Sequence, residues 1–208
     1  MVAGRKKWSS QRLDPVRVWN IESGQIVVSI DEPILAATMA AGGRVLVATI
    51  PKANDHEIAF YELAQPGQAP RRVPGRNASA VLAASPDGQL VALTTGGGLV
   101  RLFDPVKGEI VANLQGHLNA AFGVAFSPGG RRLISSYGGR EAIKLWDVGT
   151  RQELLTLNSS TDELLHGALW SSDGDVILAE APWQAWRAPS WEEIAAAEAK
   201  EKAEIKLP

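Results

Sequence analysis

An internal repeat of about 42 residues constrains this chain more than any other feature of its sequence. A short segment that alternates apolar and polar residues and ends on an aromatic side chain recurs along the chain. The aromatic residues lie 42, 42, 43 and 40 positions apart and are Trp19, Tyr61, Phe103, Trp146 and Trp186. Such periodicity predicts similar units stacked side by side, because one unit cannot bury both of its faces alone.

A second marker keeps phase with the aromatic residues. Residues 85–88 read Ser-Pro-Asp-Gly, and related turn-forming segments recur at 127–130 and 171–174. Proline presets the first dihedral of such a turn, and glycine accepts a positive φ. The best-defined period contains predicted strands at residues 122–126, 131–136, 142–146 and 152–157. Four short strands in every repeat of roughly 40 to 45 residues indicate an all-β chain, a β-propeller of four-stranded antiparallel blades.

Composition excludes several classes of function. The 208 residues carry a formal net charge of −2, so no overall field favours nucleic acid or an anionic membrane as a partner. The absence of cysteine removes disulfides, thiol catalysis and Cys-ligated zinc. No apolar run approaches the roughly 18 residues of a membrane span, and the basic N-terminus lacks the apolar stretch of a signal peptide. The cytoplasm is therefore the default compartment.

The best-defined period resembles a WD repeat. Gly116-His117 and Trp146-Asp147 stand at the separation of the Gly-His and Trp-Asp pairs of that family, and the resemblance covers roughly residues 14–188. It implies a buried relay of hydrogen bonds among a histidine, a hydroxyl on the second strand, a turn aspartate and the tryptophan. We expect His117, Ser136 and Trp146 to fill three of these places.

The other periods depart from the WD pattern. The aspartate place of the best repeat falls near residues 139–140, so the fourth partner is missing unless Glu141 substitutes. Tyr61 and Phe103 replace tryptophan, and neither has a Gly-His pair upstream. These blades are therefore expected to rely on apolar packing, as in divergent bacterial members of the family. The expected blade markers are Trp19, Tyr61, Phe103, Asp104, Asp147 and Trp186.

The phase of the repeat predicts an incomplete propeller of four to five blades. We expect blades at approximately 1–32, 33–76, 77–116, 117–159 and 160–189, and a helical extension at 190–208 that begins with a capping box at Ser190. The first blade enters at its third strand, at Val16, and the last lacks a fourth strand. Seven blades need on the order of 300 residues. We interpret the chain as the C-terminal part of a seven-bladed propeller; the alternative is a short open array completed by self-association through its edges.

No motif for catalysis or for cofactor binding accompanies the repeat. His117 is expected to be structural, and His56, His117 and His166 lie at unrelated positions that do not predict a metal site. Acidic residues such as Asp87 and Asp173 lie in predicted turns, where aspartate side chains bond to the backbone. His166, on an inner strand, and Trp183, in the eroded last blade, are the candidate surface contacts.

These observations predict a non-enzymatic binding platform, a scaffold for an unidentified protein partner. The alternative is a regulatory or sensor propeller within a larger enzyme. Residues 186–194 resemble the ending of many bacterial WD-repeat proteins, several of which are joined to Ser/Thr kinase domains. A gating propeller associated with a peptidase is a further form of this alternative.

Overall fold

The computed structural model describes residues 15–53, 55–118, 120–137, 141–160, 167–180 and 183–188. These residues form short β-strands and one 3₁₀ turn, Ala41–Gly43. In chain order the strands are β1 (Val16–Trp19), β2 (Ile26–Ile30), β3 (Ala36–Ala40), β4 (Val45–Pro51), β5 (His56–Glu62), β6 (Arg71–Pro74), β7 (Ala78–Ala84), β8 (Val91–Thr95), β9 (Leu99–Asp104), β10 (Glu109–Gln115), β11 (Gly123–Phe126), β12 (Arg132–Ser136), β13 (Ile143–Asp147), β14 (Gln152–Leu157), β15 (Gly167–Trp170), β16 (Val176–Glu180) and β17 (Gln184–Arg187).

The strands form antiparallel sheets in which chain neighbours pair with each other. We number them sheet 1 (β1–β2), sheet 2 (β3–β6), sheet 3 (β7–β10), sheet 4 (β11–β14) and sheet 5 (β15–β17). Sheets 2, 3 and 4 have four strands each, as the repeat predicts. The predicted C-terminal helix lies outside the described residues.

A bulge recurs between the last two strands of three sheets. In sheet 4, Leu145 lies opposite Leu155 but Trp146 lies opposite Glu153, so one residue of β14 is skipped. Sheets 1 and 3 skip one residue at the same place, directly before the aromatic marker. Such a bulge re-aims side chains and increases the local twist of the strand. It therefore fixes which residue of the outer strand meets the aromatic marker.

Neighbouring sheets pack face to face through apolar clusters. Between sheets 2 and 3 the cluster contains Val47, Phe60, Leu93 and Phe103. Between sheets 3 and 4 it contains Leu102, Leu114, Phe126 and Trp146. Further clusters join sheet 1 to sheet 2 and sheet 4 to sheet 5. Each inner sheet thus covers both faces with a neighbour, which is the packing that blades of a propeller require.

The connections between strands gather at two opposite ends of the sheets, because the strands alternate in direction. We call one the loop end: residues 55, 75–77, 96–98, 116–118, 120–122 and 183. We call the other the turn end: residues 41–44, 85–90, 104–108, 127–131, 147–151 and 171–175. Loops of neighbouring sheets touch at both ends, as in the hydrogen bonds from Ala121 N to Thr95 O (3.2 Å) and from Ala41 N to Gly88 O (2.8 Å).

The turns at the turn end stack on one another. Gly88 has φ +70°, and a Cβ there would lie 2.7 Å from Ala41 N, so glycine is needed both for its conformation and for the close approach. Gly130 rests against Pro86, and Gly174 rests against Pro128, each with 3.5 Å to the proline Cδ from a Cβ position. The recurring Ser-Pro-Asp-Gly marker therefore forms contacts between sheets as well as turns within them.

Within the described residues, no helix has the length and apolar content needed to cross a lipid bilayer.

Candidate functional site

Sheet 4 contains a buried hydrogen-bond relay. The indole Nε1 of Trp146 donates to Ser135 Oγ at 2.8 Å, and Ser135 Oγ lies 2.6 Å from His117 Nε2. The imidazole and indole rings meet edge to face, with centroids 6.4 Å apart. All three side chains are buried. His117 and Trp146 thus occupy the places that the WD resemblance implies.

The expectation that Ser136 supplies the hydroxyl is wrong; Ser135 supplies it. Leu133 lies opposite Trp146, and strand residues alternate between faces, so Ser135 shares the face of Trp146 and Ser136 points the other way. The Oγ of Ser136 is buried without a hydrogen-bond partner among the described residues, on the side of Gly123 and Gly167. Counting alternate residues from the tryptophan partner is the sequence signal that would have found Ser135.

Glu141 does not complete the relay as its fourth member. The Oε2 of Glu141 and the Nδ1 of His117 are both buried, and neither has a hydrogen-bond partner in the described part of the chain. The expected aspartate place at residues 139–140 lies outside that part. Among the described residues, the relay therefore ends at His117.

The electrostatics of His117 fit a structural role. Burial, followed by the positive charge of Lys144, lowers the pKa of His117 to about 4. The indole N–H can only donate, so Ser135 Oγ accepts a hydrogen bond from it. The Ser135 hydroxyl can in turn donate a hydrogen bond to Nε2 of the neutral imidazole. A histidine that stays neutral and is only 6% exposed fits a structural role, because so little of its ring can meet a substrate.

In sheet 2 a charged hydrogen-bond network holds the aromatic marker. Tyr61 takes the place of Trp146, and its hydroxyl donates to the carboxylate of Glu32. Arg72 donates to the same carboxylate and, at 3.2 Å, to Glu57 Oε2. Burial raises the pKa of Tyr61, so the phenol stays protonated and acts as a donor. This network joins the connection after sheet 1 to the outer strands of sheet 2, and the sequence analysis missed Glu32.

Sheet 3 places an apolar side chain at the same position. Phe103 is fully buried and lies opposite Val91, as Trp146 lies opposite Leu133. Its ring packs on Phe60 of sheet 2 with centroids 6.2 Å apart. Sheet 3 therefore has the apolar packing that we expect for this repeat.

The acidic residues that follow the aromatic markers cap turns. Asp104 Oδ1 accepts from the backbone N–H of Val106 (2.9 Å) and of Lys107 (3.0 Å). Asp147 Oδ1 accepts from the N–H of Thr150 at 2.8 Å, and its other oxygen pairs with Arg132. The hydrogen bond from Thr150 lowers the pKa of Asp147, which keeps the carboxylate charged. Both aspartates therefore stabilise turns at the turn end.

The first and last aromatic markers are less enclosed than the others. Trp19 is half exposed on β1 and lies opposite Ile26. Trp186 lies opposite Ile177 and packs partly against the cluster between sheets 4 and 5.

At the loop end, two large apolar side chains face solvent. Trp183 is 72% exposed, and Leu118, directly after the relay histidine, is 79% exposed. The exposure of Trp183 agrees with the sequence analysis, and its role as a contact stays a prediction. His166, the other predicted contact, lies outside the described residues.

The turn end carries a shallow depression between sheets 2 and 3. Its volume is about 540 Å³, and its lining includes Arg44, Asp87, Gln89, Asp104 and Lys107. These polar groups already serve their own turns: Asp87 accepts from Gln89 N at 3.0 Å, and Arg44 Nε donates to Ala41 O at 2.9 Å. Among the described residues, no group of three or more His, Asp or Glu side chains is placed to hold a metal ion.

A match to a protein family covers the segment that contains the relay. Residues 108–147 match the family described as WD domain, G-beta repeat. WD repeat-containing protein 1 of Gallus gallus is 33% identical over 94 residues, which are 43% of this chain and 15% of that protein. A WD repeat-containing protein of Synechocystis is 34% identical over 106 residues, 50% of this chain and 29% of that protein. The matched part of the chain thus spans less than a third of either relative.

Solved structures share the architecture. A chain of the mitotic checkpoint complex superimposes with a TM-score of 0.67 at 16% identity, covering 83% of this chain and 56% of that one. The WD40 repeats of RRP9 superimpose with a TM-score of 0.62 at 17% identity, covering 77% of this chain and 49% of that one. The predicted β-propeller of four-stranded antiparallel blades is confirmed.

Proposed function

We propose that this chain, which has a β-propeller fold and a match to the WD repeat family, is a protein-interaction scaffold that contacts its partner through the loop end. WD40 propellers generally bind protein partners and are generally non-enzymatic. The observation that supports a scaffold here is the contrast between a structural interior and exposed apolar loops. Leu118 and Trp183 expose large apolar surface, while the relay histidine beside Leu118 is buried. Burying these two side chains against a partner would remove apolar surface from water and so favour association.

The test is a binding comparison among single variants of the full chain. Immobilised wild-type chain is compared with Leu118→Ser and Trp183→Ser for the proteins it retains and for their affinity. Val106→Ser is the matched control, because Val106 is a half-exposed apolar residue at the opposite, turn end. We expect a partner whose affinity falls about tenfold or more with a loop-end variant and is unchanged by the control. A partner lost only with Val106→Ser would contradict the proposal.

The remaining functional predictions are tested separately. A regulatory propeller of a kinase or a peptidase-associated propeller predicts a catalytic domain in the reading frame upstream of Met1. Self-association through sheets 1 and 5 predicts an oligomer in sedimentation experiments, and cytoplasmic residence predicts recovery in the soluble fraction of cells.

A further inference from the structure

A buried cation in sheet 3 forms no ion pair with the described residues. Arg101, on β9, is 8% exposed at the interface with sheet 2. Its Nη1 donates to the carbonyl of Gly75, and no carboxylate of the described residues lies within 4.0 Å of its guanidinium. A guanidinium has five donors, and the nitrogens of Arg101 other than Nη1 are not among the buried atoms without a partner, so they keep contact with solvent.

The equivalent position in sheet 4 shows what is missing. Lys144 stands two residues before Trp146, as Arg101 stands two residues before Phe103, and it is 5% exposed. Its Nζ lies 2.9 Å from Glu153 Oε1 and 2.9 Å from Thr156 Oγ1. Glu153 lies opposite Trp146, but the residue opposite Phe103 is Ile110. Sheet 3 thus has the cation but no carboxylate opposite its aromatic marker.

A second cation stands beside Arg101 at the loop end. Arg76 directly follows Gly75, is exposed, and has a positive φ of 47°. Burial lowers the pKa of Arg101, the charge of Arg76 lowers it further, and the negative charge of Asp55 partly opposes both. The nearby carboxylate of Asp55 accepts from Asn77 N at 2.8 Å, so one of its oxygens is already engaged.

The turn between β8 and β9 lies beside the segment that carries Arg76. Gly96 N donates to Asn77 O at 2.8 Å, so the turn between β8 and β9 borders the pair. No atom lies within 4 Å of the Cβ position at Gly97. Guanidinium groups bind carboxylates and phosphates through paired hydrogen bonds.

We propose that Arg76 and Arg101 bind an anionic side chain of a protein partner, a carboxylate or a phosphorylated hydroxyl. This inference rests on the proposed scaffold function and specifies the chemistry of the partner. The bound anion takes the place that Glu153 takes beside Lys144. The net charge of −2 disfavours a nucleic acid as the source of the anion, because such partners need a broad basic surface.

The first experiment titrates the ¹⁵N-labelled full chain with inorganic phosphate at constant ionic strength. We expect saturable amide shifts at Arg76 and Asn77. Arg76→Gln should weaken phosphate binding about threefold or more, and Arg101→Met about tenfold or more. Lys107→Gln is the control, because Lys107 is an exposed cation at the turn end, and it should leave the titration unchanged. If Arg101→Met does not fold, the exposed Arg76 variant decides.

The second experiment identifies the source of the anion. One peptide sequence is compared with serine, phosphoserine, glutamate or glutamine at its centre. Tighter binding of the phosphoserine or glutamate form supports the proposal and identifies the source. Equal binding of all four, tighter binding of an oligonucleotide, or phosphate shifts that survive both arginine variants would overturn it. Absence of phosphate binding would remove the anion site and leave the scaffold proposal to the Leu118 and Trp183 variants.

Discussion

The interface between sheets 2 and 3 and the interface between sheets 3 and 4 have the same backbone plan and different chemistry. The first centres on the Phe60–Phe103 ring contact, with Arg101 bonded to a carbonyl. The second centres on Trp146, whose indole is held by Ser135 and His117. Strand register specifies where the aromatic marker lies, and several kinds of neighbour can then enclose it. The relay is therefore one solution to packing a blade, and the fold does not require it in every sheet.

Removing the aromatic marker should break both interfaces to a similar extent. Trp146→Ala and Phe103→Ala should each lower the free energy of unfolding by about 3–5 kcal/mol, because each deletes a fully buried ring and leaves a cavity. Urea denaturation followed by circular dichroism measures both losses. A loss under about 1 kcal/mol at Phe103 would show that the relay interface alone carries stability.

Acid should weaken the relay interface through His117. The pKa of His117 is lowered from 6.5 to about 4 in the folded chain, so between these values the unfolded state binds a proton that the folded state does not. The free energy of unfolding should fall as pH drops through this window, by about 3 kcal/mol in total. His117→Gln removes this contribution and should flatten the slope between pH 6.5 and 5. Equal slopes in both proteins would contradict a buried neutral histidine.

The sequence predicts the repeat and its aromatic markers well, because both follow from periodicity. Ser135 was missed by one position, since the family pattern names a hydroxyl on a strand without its face. The pairing of Lys144 with Glu153 depends on the bulge in β14, which brings Glu153 opposite Trp146 in place of Leu154. No glycine or proline in β14 signals that bulge. Glu32 is 29 residues from Tyr61, so local patterns cannot reveal their contact.

Replacing glycine by alanine in the stacked turns should destabilise the chain by different amounts at the two interfaces. Gly88→Ala should cost about 2–3 kcal/mol, because it combines a positive φ with a Cβ 2.7 Å from Ala41 N. Gly130→Ala should cost about 1 kcal/mol, since its φ is also +70° but the nearest neighbouring atom, on Pro86, lies at 3.5 Å. Thermal unfolding of the two variants measures the difference. Equal midpoints would show that conformational strain, and not the contact with sheet 2, sets the cost.

Removing or adding a carboxylate beside the buried cations should change the free energy of unfolding least. Glu153→Gln leaves Lys144 without its carboxylate and should cost about 1 kcal/mol, because the Glu153 side chain is partly exposed and solvent screens the pair. Ile110→Glu places a carboxylate at the matching position of sheet 3 and should stabilise it by about 0.5 kcal/mol.

Ile110→Glu also tests the anion site. A carboxylate supplied by the chain should compete with phosphate for Arg101 and weaken phosphate binding. Ile110→Gln is the uncharged control, and equal affinities in the two variants would show that Ile110 does not correspond to Glu153 in function.

The stacked turns join neighbouring sheets through a contact that recurs along the chain. Pro86 contacts the position of Gly130, and Pro128 contacts that of Gly174, so the same proline–glycine contact joins sheet 3 to sheet 4 and sheet 4 to sheet 5. A whole repeat can then be duplicated or deleted as a cassette, provided that the new neighbours present a proline and a glycine to each other. Cuts should fall in the connections at the loop end, such as residues 116–118, where no such joint is divided.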